Sequence, residues 1–459
     1  MNSVEKKRSL SPYLLVILSF VGVILIGSAL LTCPFSHIDG KWGNFLDSFF
    51  IATSATCVTG LSVYANGIAG ELTFIGQLVV LIMIQIGGLG FITIFAFIIS
   101  IFQRRLKFKD RLFLSQAVNS NSVSQVSQFV IRVVIIVLFC EILGFLLGLP
   151  VFLSIKDHSV LEVLWMDLFT SVSAFNNAGF DLFGSDSLIR IASNPIVYNL
   201  PTWAYYYLLS YIMVLIVLGG ISFVVIIEIV FNHKKPRQWS AFTRIVLLTT
   251  AILLVFGMGG FMLTDGINGN IDPFHALFQS VTTRTAGFAS VNQDELSTAG
   301  KTLTCFLMFI GGSPIGTAGG IKTTTLFMIV ISFVSFIRGK SIVAFKRQYS
   351  RISVIKAMSI VFLAIVLAIV SFQFIISFEG SREEINTERA LFEVFSGFGT
   401  VGLSTGITPI LSSGSKIVLC LLMFFGRLGP ITMFQIFQRN MDKEEKKHFK
   451  YIETDVIIG

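Results

Sequence analysis

The chain has 459 residues, 54% of them hydrophobic and only 13% charged, with 46 phenylalanines and a formal net charge of +8. That balance excludes a soluble globular domain and puts the chain in a bilayer. Cys33, Cys57, Cys140, Cys305 and Cys420 are scattered singly with no CxxC pair, and none of the five histidines has ligand spacing, which argues for buried thiols and against disulfide, zinc or haem chemistry.

In chain order, apolar runs lie near residues 13–33, 72–102, 129–154, 203–231, 243–264, 302–337, 354–378 and 415–437. A helix needs about 20 such residues to cross the hydrocarbon core, so the runs predict eight membrane-spanning helices with both ends on one side. The first run follows Lys6, Lys7 and Arg8 as a signal peptide would. Its apolar core is too long, however, and Thr32-Cys33-Pro34-Phe35 is no cleavage site, so it reads as a permanent helix.

Between alternate runs come shorter stretches near 45–56, 160–175, 273–284 and 387–398, which read as re-entrant half-helices. Start signals precede three of them: Ser159 and Glu162 at capping-box spacing, Asp272 before Pro273, and Thr387 with Glu388. Each half-helix runs into a tight glycine, in Thr56-Cys57-Val58-Thr59-Gly60-Leu61, Phe175-Asn176-Asn177-Ala178-Gly179-Phe180, Thr283-Arg284-Thr285-Ala286-Gly287-Phe288 and Phe398-Gly399-Thr400-Val401-Gly402-Leu403. Aligning the glycines brings Phe50, Phe169 and Phe392 to one offset, with Leu277 standing in for the third phenylalanine. One such glycine is explained by close helix packing; four in register are not.

Charge sets sidedness. The N-terminus, the even-to-odd connections and the tail carry about 24 Lys and Arg, including Arg104, Arg105, Lys107, Lys234, Lys235 and Arg338, which predicts a cytoplasmic face there. The segments holding the glycine motifs carry about 8 basic and 17 acidic residues, an electronegative outer face. The net positive charge is therefore a topology signal and not a nucleic-acid footprint. Irregular backbone at membrane depth must be buried in protein or line a water-filled path, so the four loops are expected to converge on a shared centre. Half-helix carboxyl ends and inward carbonyls would favour a cation there and disfavour anions and large solutes.

The sixth run contains Gly311-Gly312-Ser313-Pro314-Ile315-Gly316-Thr317-Ala318-Gly319-Gly320-Ile321-Lys322, through which no helix continues. It fails as a phosphate-binding loop, because Ile321 separates Gly320 from Lys322 and because it interrupts a membrane span. A packing kink and a flexible obstruction beneath the central path both remain open. Lys322 and Arg427 sit where charge is costly, either in buried ion pairs with Glu141 or Glu228 or facing a cavity. Arg284 is expected behind the third loop, toward an acidic partner, since a cation there facing the path would repel the ions it favours.

These residues together resemble the Trk/Ktr/HKT superfamily of cation transporters, and within it the membrane subunit of the Ktr potassium uptake systems, over almost the whole chain. The resemblance implies an all-α polytopic fold of four helix, half-helix, filter-loop, helix repeats around a pseudo-fourfold pore, at residues 1–112, 113–238, 239–347 and 348–438, with a tail at 439–459. It implies a potassium filter made of Val58-Thr59-Gly60, Asn177-Ala178-Gly179, Thr285-Ala286-Gly287 and Thr400-Val401-Gly402, degenerate relative to the TVGYG of potassium channels. By the same resemblance, residues 311–322 gate the pore and Arg427 forms an electrostatic barrier. The expected setting is a homodimer in a bacterial cell membrane, docked to a cytoplasmic ring of nucleotide-binding regulatory subunits. ATP or ADP would be bound only by that ring; no covalent cofactor or nucleic acid is expected. Some family members couple to sodium. No catalytic group is needed, since a membrane potential supplies about 2.3 kcal/mol per charge per 100 mV. The alternative is an alternating-access secondary transporter, which would show two inverted halves in place of four like repeats.

Overall fold

The computed structural model describes residues 12–90, 126–155, 158–184, 187–189, 201–231, 236–267, 269–380 and 382–429. Its helices are α1 Pro12–Thr32, α2 Phe45–Thr56, α3 Phe74–Leu89, α4 Val126–Phe152, α5 Val160–Asn176, α6 Thr202–Gly220, α7 Phe223–Phe231, α8 Ala241–Phe261, α9 Pro273–Thr282, α10 Thr298–Phe309, α11 Thr323–Ile337, α12 Arg351–Glu379, α13 Thr387–Gly399 and α14 Ser413–Leu428. The basic segments at 104–111 and 234–235 and the tail at 439–459 lie outside the described residues.

Helix occupies each of the eight predicted runs, and among the described residues four helical stretches are individually long and apolar enough to cross a membrane: Phe129–Phe152, Thr202–Gly220, Ala241–Gly266 and Arg351–Glu379. Their outward faces carry bare hydrocarbon, Val255 and Phe362 each being more than 70% exposed. Only lipid can cover such a surface without penalty, so this is an integral membrane protein.

The run at 203–231 was expected to be one helix, and it is two. α6 stops at Gly220, Ile221 turns extended, and α7 restarts at Phe223. The cause is tertiary: the Phe223 N–H donates to the Ile315 carbonyl at 2.8 Å and the Ser313 N–H donates to the Gly220 carbonyl at 3.0 Å, so the interrupted sixth run takes up backbone groups that a continuous helix would satisfy itself.

The short helices α2, α5, α9 and α13 all begin with a side-chain cap. Asn44 accepts from the Leu46 N–H at 2.9 Å, Ser159 and Glu162 form a complete capping box, and Asp272 accepts from the His275 N–H at 2.8 Å before Pro273. At the fourth, Asn386 is the cap, accepting from Arg389 N–H at 2.9 Å; Thr387, expected to start the helix with its hydroxyl, is the first helical residue. α2, α5 and α13 each pack against both longer helices that flank them in sequence, while α9 packs on α8 before it and shares a buried apolar cluster with α10 through Ala276 and Leu307. The helix that follows it in turn packs on the next short helix: α3 on α5, α6 on α9, α10 on α13, and α14 back on α2. The fourth unit therefore closes onto the first, and the helices form a ring.

Candidate ion-translocation site

Each short helix hands over to its glycine through a wide turn. The N–H of Thr59 donates to the Ser54 carbonyl at 2.8 Å, that of Ala178 to Ser173 at 2.8 Å, and that of Val401 to Ser396 at 2.9 Å. In the first and fourth loops the serine hydroxyl also accepts from the glycine N–H, at 3.1 Å in both. The third loop is one residue tighter: Ala286 N–H donates to Thr282 at 3.0 Å. That shift corrects the alignment, because Phe278, fully buried like Phe50, Phe169 and Phe392, takes the place given to Leu277. The neighbouring contacts shift with it. Ser171 in α5 donates to the Glu141 carbonyl of α4 at 2.7 Å, and Ser280 in α9 donates to the Leu254 carbonyl of α8 at 2.9 Å.

The backbone past the turn is the same four times. Val58, Asn177, Thr285 and Thr400 have φ of 57°, 59°, 70° and 50°, and Gly60, Gly179, Gly287 and Gly402 have φ of 99°, 71°, 80° and 95°. Between them, Thr59, Ala178, Ala286 and Val401 keep negative φ. A β-branched residue at positive φ is strained, and three of the four sit here, which marks a site where the surroundings impose the conformation. Alternating left- and right-handed residues turns successive carbonyls to one side of the strand. The hydroxyl oxygens of Thr59, Thr285 and Thr400 are buried with no hydrogen-bond partner, and the Asn177 side chain lies against Gly219 and Gly220 of α6.

The four loops meet. A Cβ on Gly60 would fall 2.5 Å from the Ala178 carbonyl oxygen, and one on Gly179 would fall 2.7 Å from that of Ala286. One on Gly287 would strike the Val401 carbonyl oxygen, and one on Gly402 that of Thr59. Each glycine thus abuts the next loop, and the fourth abuts the first. Past the ring opens a cavity of about 570 Å³ lined by all four glycines, with Asp181 and Asp294 on its wall and no Lys or Arg among its lining residues.

The deeper residues of the ring rest on the interrupted sixth run. A Cβ on Gly319 would strike the Thr400 hydroxyl, one on Gly311 would come within 3.1 Å of the Thr285 methyl, and one on Gly320 would come within 3.4 Å of the Gly399 Cα. Thr317 N–H donates to the Gly219 carbonyl at 3.2 Å and its hydroxyl to the Phe175 carbonyl at 3.4 Å; Thr323 N–H donates to Gly312 at 3.0 Å and its hydroxyl to Ser313 at 3.2 Å. Pro314 stands where no N–H is required. Residues 310–322 therefore run across the ends of the short helices as a backbone-pinned segment, more than a kink.

Lys322 and Arg427, both half-buried, grip that segment. The Lys322 ammonium donates to the Ala318 carbonyl at 2.6 Å and the Gly319 carbonyl at 3.3 Å. The Arg427 guanidinium donates to the Thr317 carbonyl through one nitrogen and to the Gly87 carbonyl at the end of α3 through another. The alternative of ion pairs with Glu141 or Glu228 does not hold. Glu141 accepts from Asn176 at 2.8 Å and from Gln85 at 3.1 Å, and Glu228 accepts from the Ser240 N–H at 2.6 Å and from Thr243. A second cavity of about 250 Å³ is lined by Ile315, Gly316, Ala318, Lys322 and Arg427. Arg284 lies behind the third loop among Ile216, Val217, Thr250 and Val281, as expected, but no acidic side chain meets it among the described residues.

Sequence reasoning passed over the glycines of the second helices. Gly87, Gly219 and Gly426 lie where a Cβ would strike the carbonyl oxygens of Thr56, Phe175 and Phe398, the last turns of their own short helices. The signal was present in Gly87-Gly88, Gly219-Gly220, Gly311-Gly312 and Gly426, one after each loop. Also missed were the outer ties between units: Lys416 to Asp47 at 2.8 Å, Arg389 to Asp294 at 2.6 Å, and the Trp165 indole N–H to Gln77 at 2.7 Å.

A model of the TrkH family, described as cation transport protein, matches residues 3–448. The chain belongs to the TrkH family. Among its relatives, the potassium/sodium uptake protein NtpJ of Enterococcus hirae is 34% identical, with 99% of this chain and 98% of that protein aligned. The Ktr system potassium uptake protein B of Bacillus subtilis is 33% identical over 96% of this chain and 95% of that one. The TrkH-family fold is seen also in the crystal structure of the potassium transporter TrkH from Vibrio parahaemolyticus, with a TM-score of 0.71 at 17% identity, covering 95% of this chain and 86% of that chain.

Proposed function

We propose that this TrkH-family protein takes up potassium across the cell membrane through the centre of the glycine ring. The observation that carries the reading is the closed contact circuit of Gly60, Gly179, Gly287 and Gly402, each loop with the same sign alternation of φ. Peptide oxygens arranged around one axis can replace the hydration shell of an alkali cation, and four helix carboxyl ends add partial negative charge. Asp181 on the wall of the cavity on one side of the ring adds negative charge that attracts cations, while Asp294 beside it is paired with Arg389. With one glycine per loop, the ring provides fewer ordered oxygens than a longer filter, so discrimination between K⁺ and Na⁺ rests on one main site and is weaker than in a potassium channel, with the preference for K⁺ supported by kinship to potassium uptake proteins. Residues 311–320 close the path against the deeper ring residues. Lys322 and Arg427 hold that segment by its carbonyls, and Arg427 adds a barrier to outgoing cations.

The names of the relatives, the potassium/sodium uptake protein and the Ktr potassium uptake protein, support this substrate class. The same kinship supports a homodimer bound to nucleotide-sensing regulatory subunits, with ATP or ADP on those partners. The test is ⁸⁶Rb⁺ and K⁺ uptake in cells lacking other potassium importers, with and without Na⁺. Saturable uptake that Na⁺ competes with poorly is expected. Growth and uptake equal to those of cells without the protein would overturn the reading; a strict Na⁺ requirement would add coupling to it.

A further inference from the structure

Glu393, in α13 directly behind the fourth loop, is a fully buried carboxylate at a depth where an unpaired charge is costly. No basic side chain pairs with it among the described residues. Four donors converge on it instead. The Ser404 hydroxyl donates to Oε1 at 2.6 Å, the Thr405 N–H at 3.0 Å and the Thr405 hydroxyl at 3.4 Å, while the Thr408 hydroxyl donates to Oε2 at 2.9 Å. An ionised carboxylate only accepts, and it has room for about four hydrogen bonds, so this donor set fits the charged form. Every donor belongs to the segment leaving Gly402, and Ser404 and Thr405 form part of the cavity wall next to the ring.

The third unit carries an uncharged counterpart. With its one-residue shift, Gln279 of α9 stands where Glu393 stands in α13, and it exchanges hydrogen bonds with Gln293 at 2.6 and 3.2 Å. Gln293 follows Gly287 at the same interval as Thr408 follows Gly402. The first and second units have Ile51 and Thr170 there, and the Thr170 hydroxyl is buried without a partner. Two of the four segments are therefore tied back to their own short helix, one of them by a charge.

We propose that Glu393 is a positioning residue for cation selection, holding the Leu403–Thr408 segment against α13 so that the backbone of Gly402 keeps its place in the ring. The proposal rests on the reading of the ring as the selective site. Ion discrimination depends on the spacing of oxygen ligands, and a segment released from its anchor lets that spacing relax.

The test is competitive ⁸⁶Rb⁺ uptake against Na⁺, with KM and maximal velocity measured separately and normalised to membrane-inserted protein. Glu393→Gln keeps the volume but places an NH2 group among donors, and it should lower the Rb⁺/Na⁺ preference by about tenfold, the size expected when hydrogen bonds to a charged acceptor are lost. Thr408→Val removes one donor from the other end and should lower it by about threefold, while Thr408→Ser, which retains the hydroxyl, restores it. If Glu393→Gln does not reach the membrane, the Thr408 pair carries the test. An unchanged ratio in both Glu393→Gln and Thr408→Val, with only protein abundance reduced, would overturn the proposal. Gly402→Ser measured alongside separates the two levels: if it shifts the ratio while the other variants do not, only the anchoring role falls, and if it also leaves the ratio unchanged, the ring reading falls with it.

Discussion

The four glycine loops and the four glycine breaks in the helices that follow them obey opposite rules. The loops repeat one backbone, with positive φ at paired positions in every unit, even where the third is a residue tighter. The breaks diverge: α3 and α14 end at Leu89 and Leu428 beside single glycines at positive φ, α6 is interrupted at Ile221, and among the described residues a long inserted segment is seen between α10 and α11. A ring that surrounds an ion needs equal contributions from every side. An obstruction needs to come from one side only, and four inserted segments would compete for the space that one fills.

The contrast predicts unequal tolerance to small additions. Serine at Gly402 or Gly287 carries a Cβ into a neighbouring carbonyl and should cut ⁸⁶Rb⁺ uptake or its preference over Na⁺ by about 10- to 100-fold, the cost of strain that the ring cannot relax. Unchanged uptake and discrimination in Gly402→Ser would mean that the ring does not select. Alanine at Gly316, whose Cβ would sit 3.2 Å from the Ile221 carbonyl oxygen at an ordinary φ, should stay within about twofold of the parent in the same assay.

Arg427→Ala releases the Thr317 and Gly87 carbonyls together. Maximal velocity should rise by about tenfold with ion preference changed less than about twofold, because the substitution frees the obstructing segment and leaves the ring intact. Altered preference at normal velocity would place the arginine in selection instead.

Outside the ring the ties between units should matter least. Lys416→Met or Asp47→Asn should lower thermal stability by about 1 kcal/mol, and the double variant should lose no more than either single one. The Arg389 guanidinium, by hydrogen bonding, holds Asp294 below the usual aspartate value of 3.8. A depressed carboxylate stabilises the fold above its unfolded pKa and loses that contribution as pH falls through the folded one, so the window lies below about pH 4. Thermal midpoints of the parent and Arg389→Gln should therefore keep a constant gap between about pH 7 and 5, and a gap that narrows there would show that another group controls the tie.

Much of the helical layout was legible because its causes are local. Hydropathy marked the eight apolar runs, caps such as Ser159 and Asp272 marked where short helices begin, and a recurring glycine marked where they end. The misreadings share a different origin. Leu277 was aligned one residue away from Phe278 because a tighter turn leaves no trace in residue type. The break at Ile221 depends on Ile315, far along the chain, and the partners of Lys322 and Arg427 are backbone carbonyls, which have no signature in a sequence. Glu393 went unnoticed for a related reason: an acid among apolar residues looks costly until the hydroxyls that solvate it are brought beside it.

The amino-acid sequence by itself determined that this protein lives in lipid and that four short helices each stop at a glycine. These follow from residue hydrophobicity, capping chemistry and backbone freedom, which act over a few neighbouring positions. Only the tertiary structure decided that the fourth loop closes on the first, that the segment at 310–322 lies under the ring, and which oxygens hold the buried charges. Several of those outcomes pair groups more than a hundred residues apart, as Arg427 does with Thr317, and they are selected by whichever buried polar groups a bilayer leaves without water.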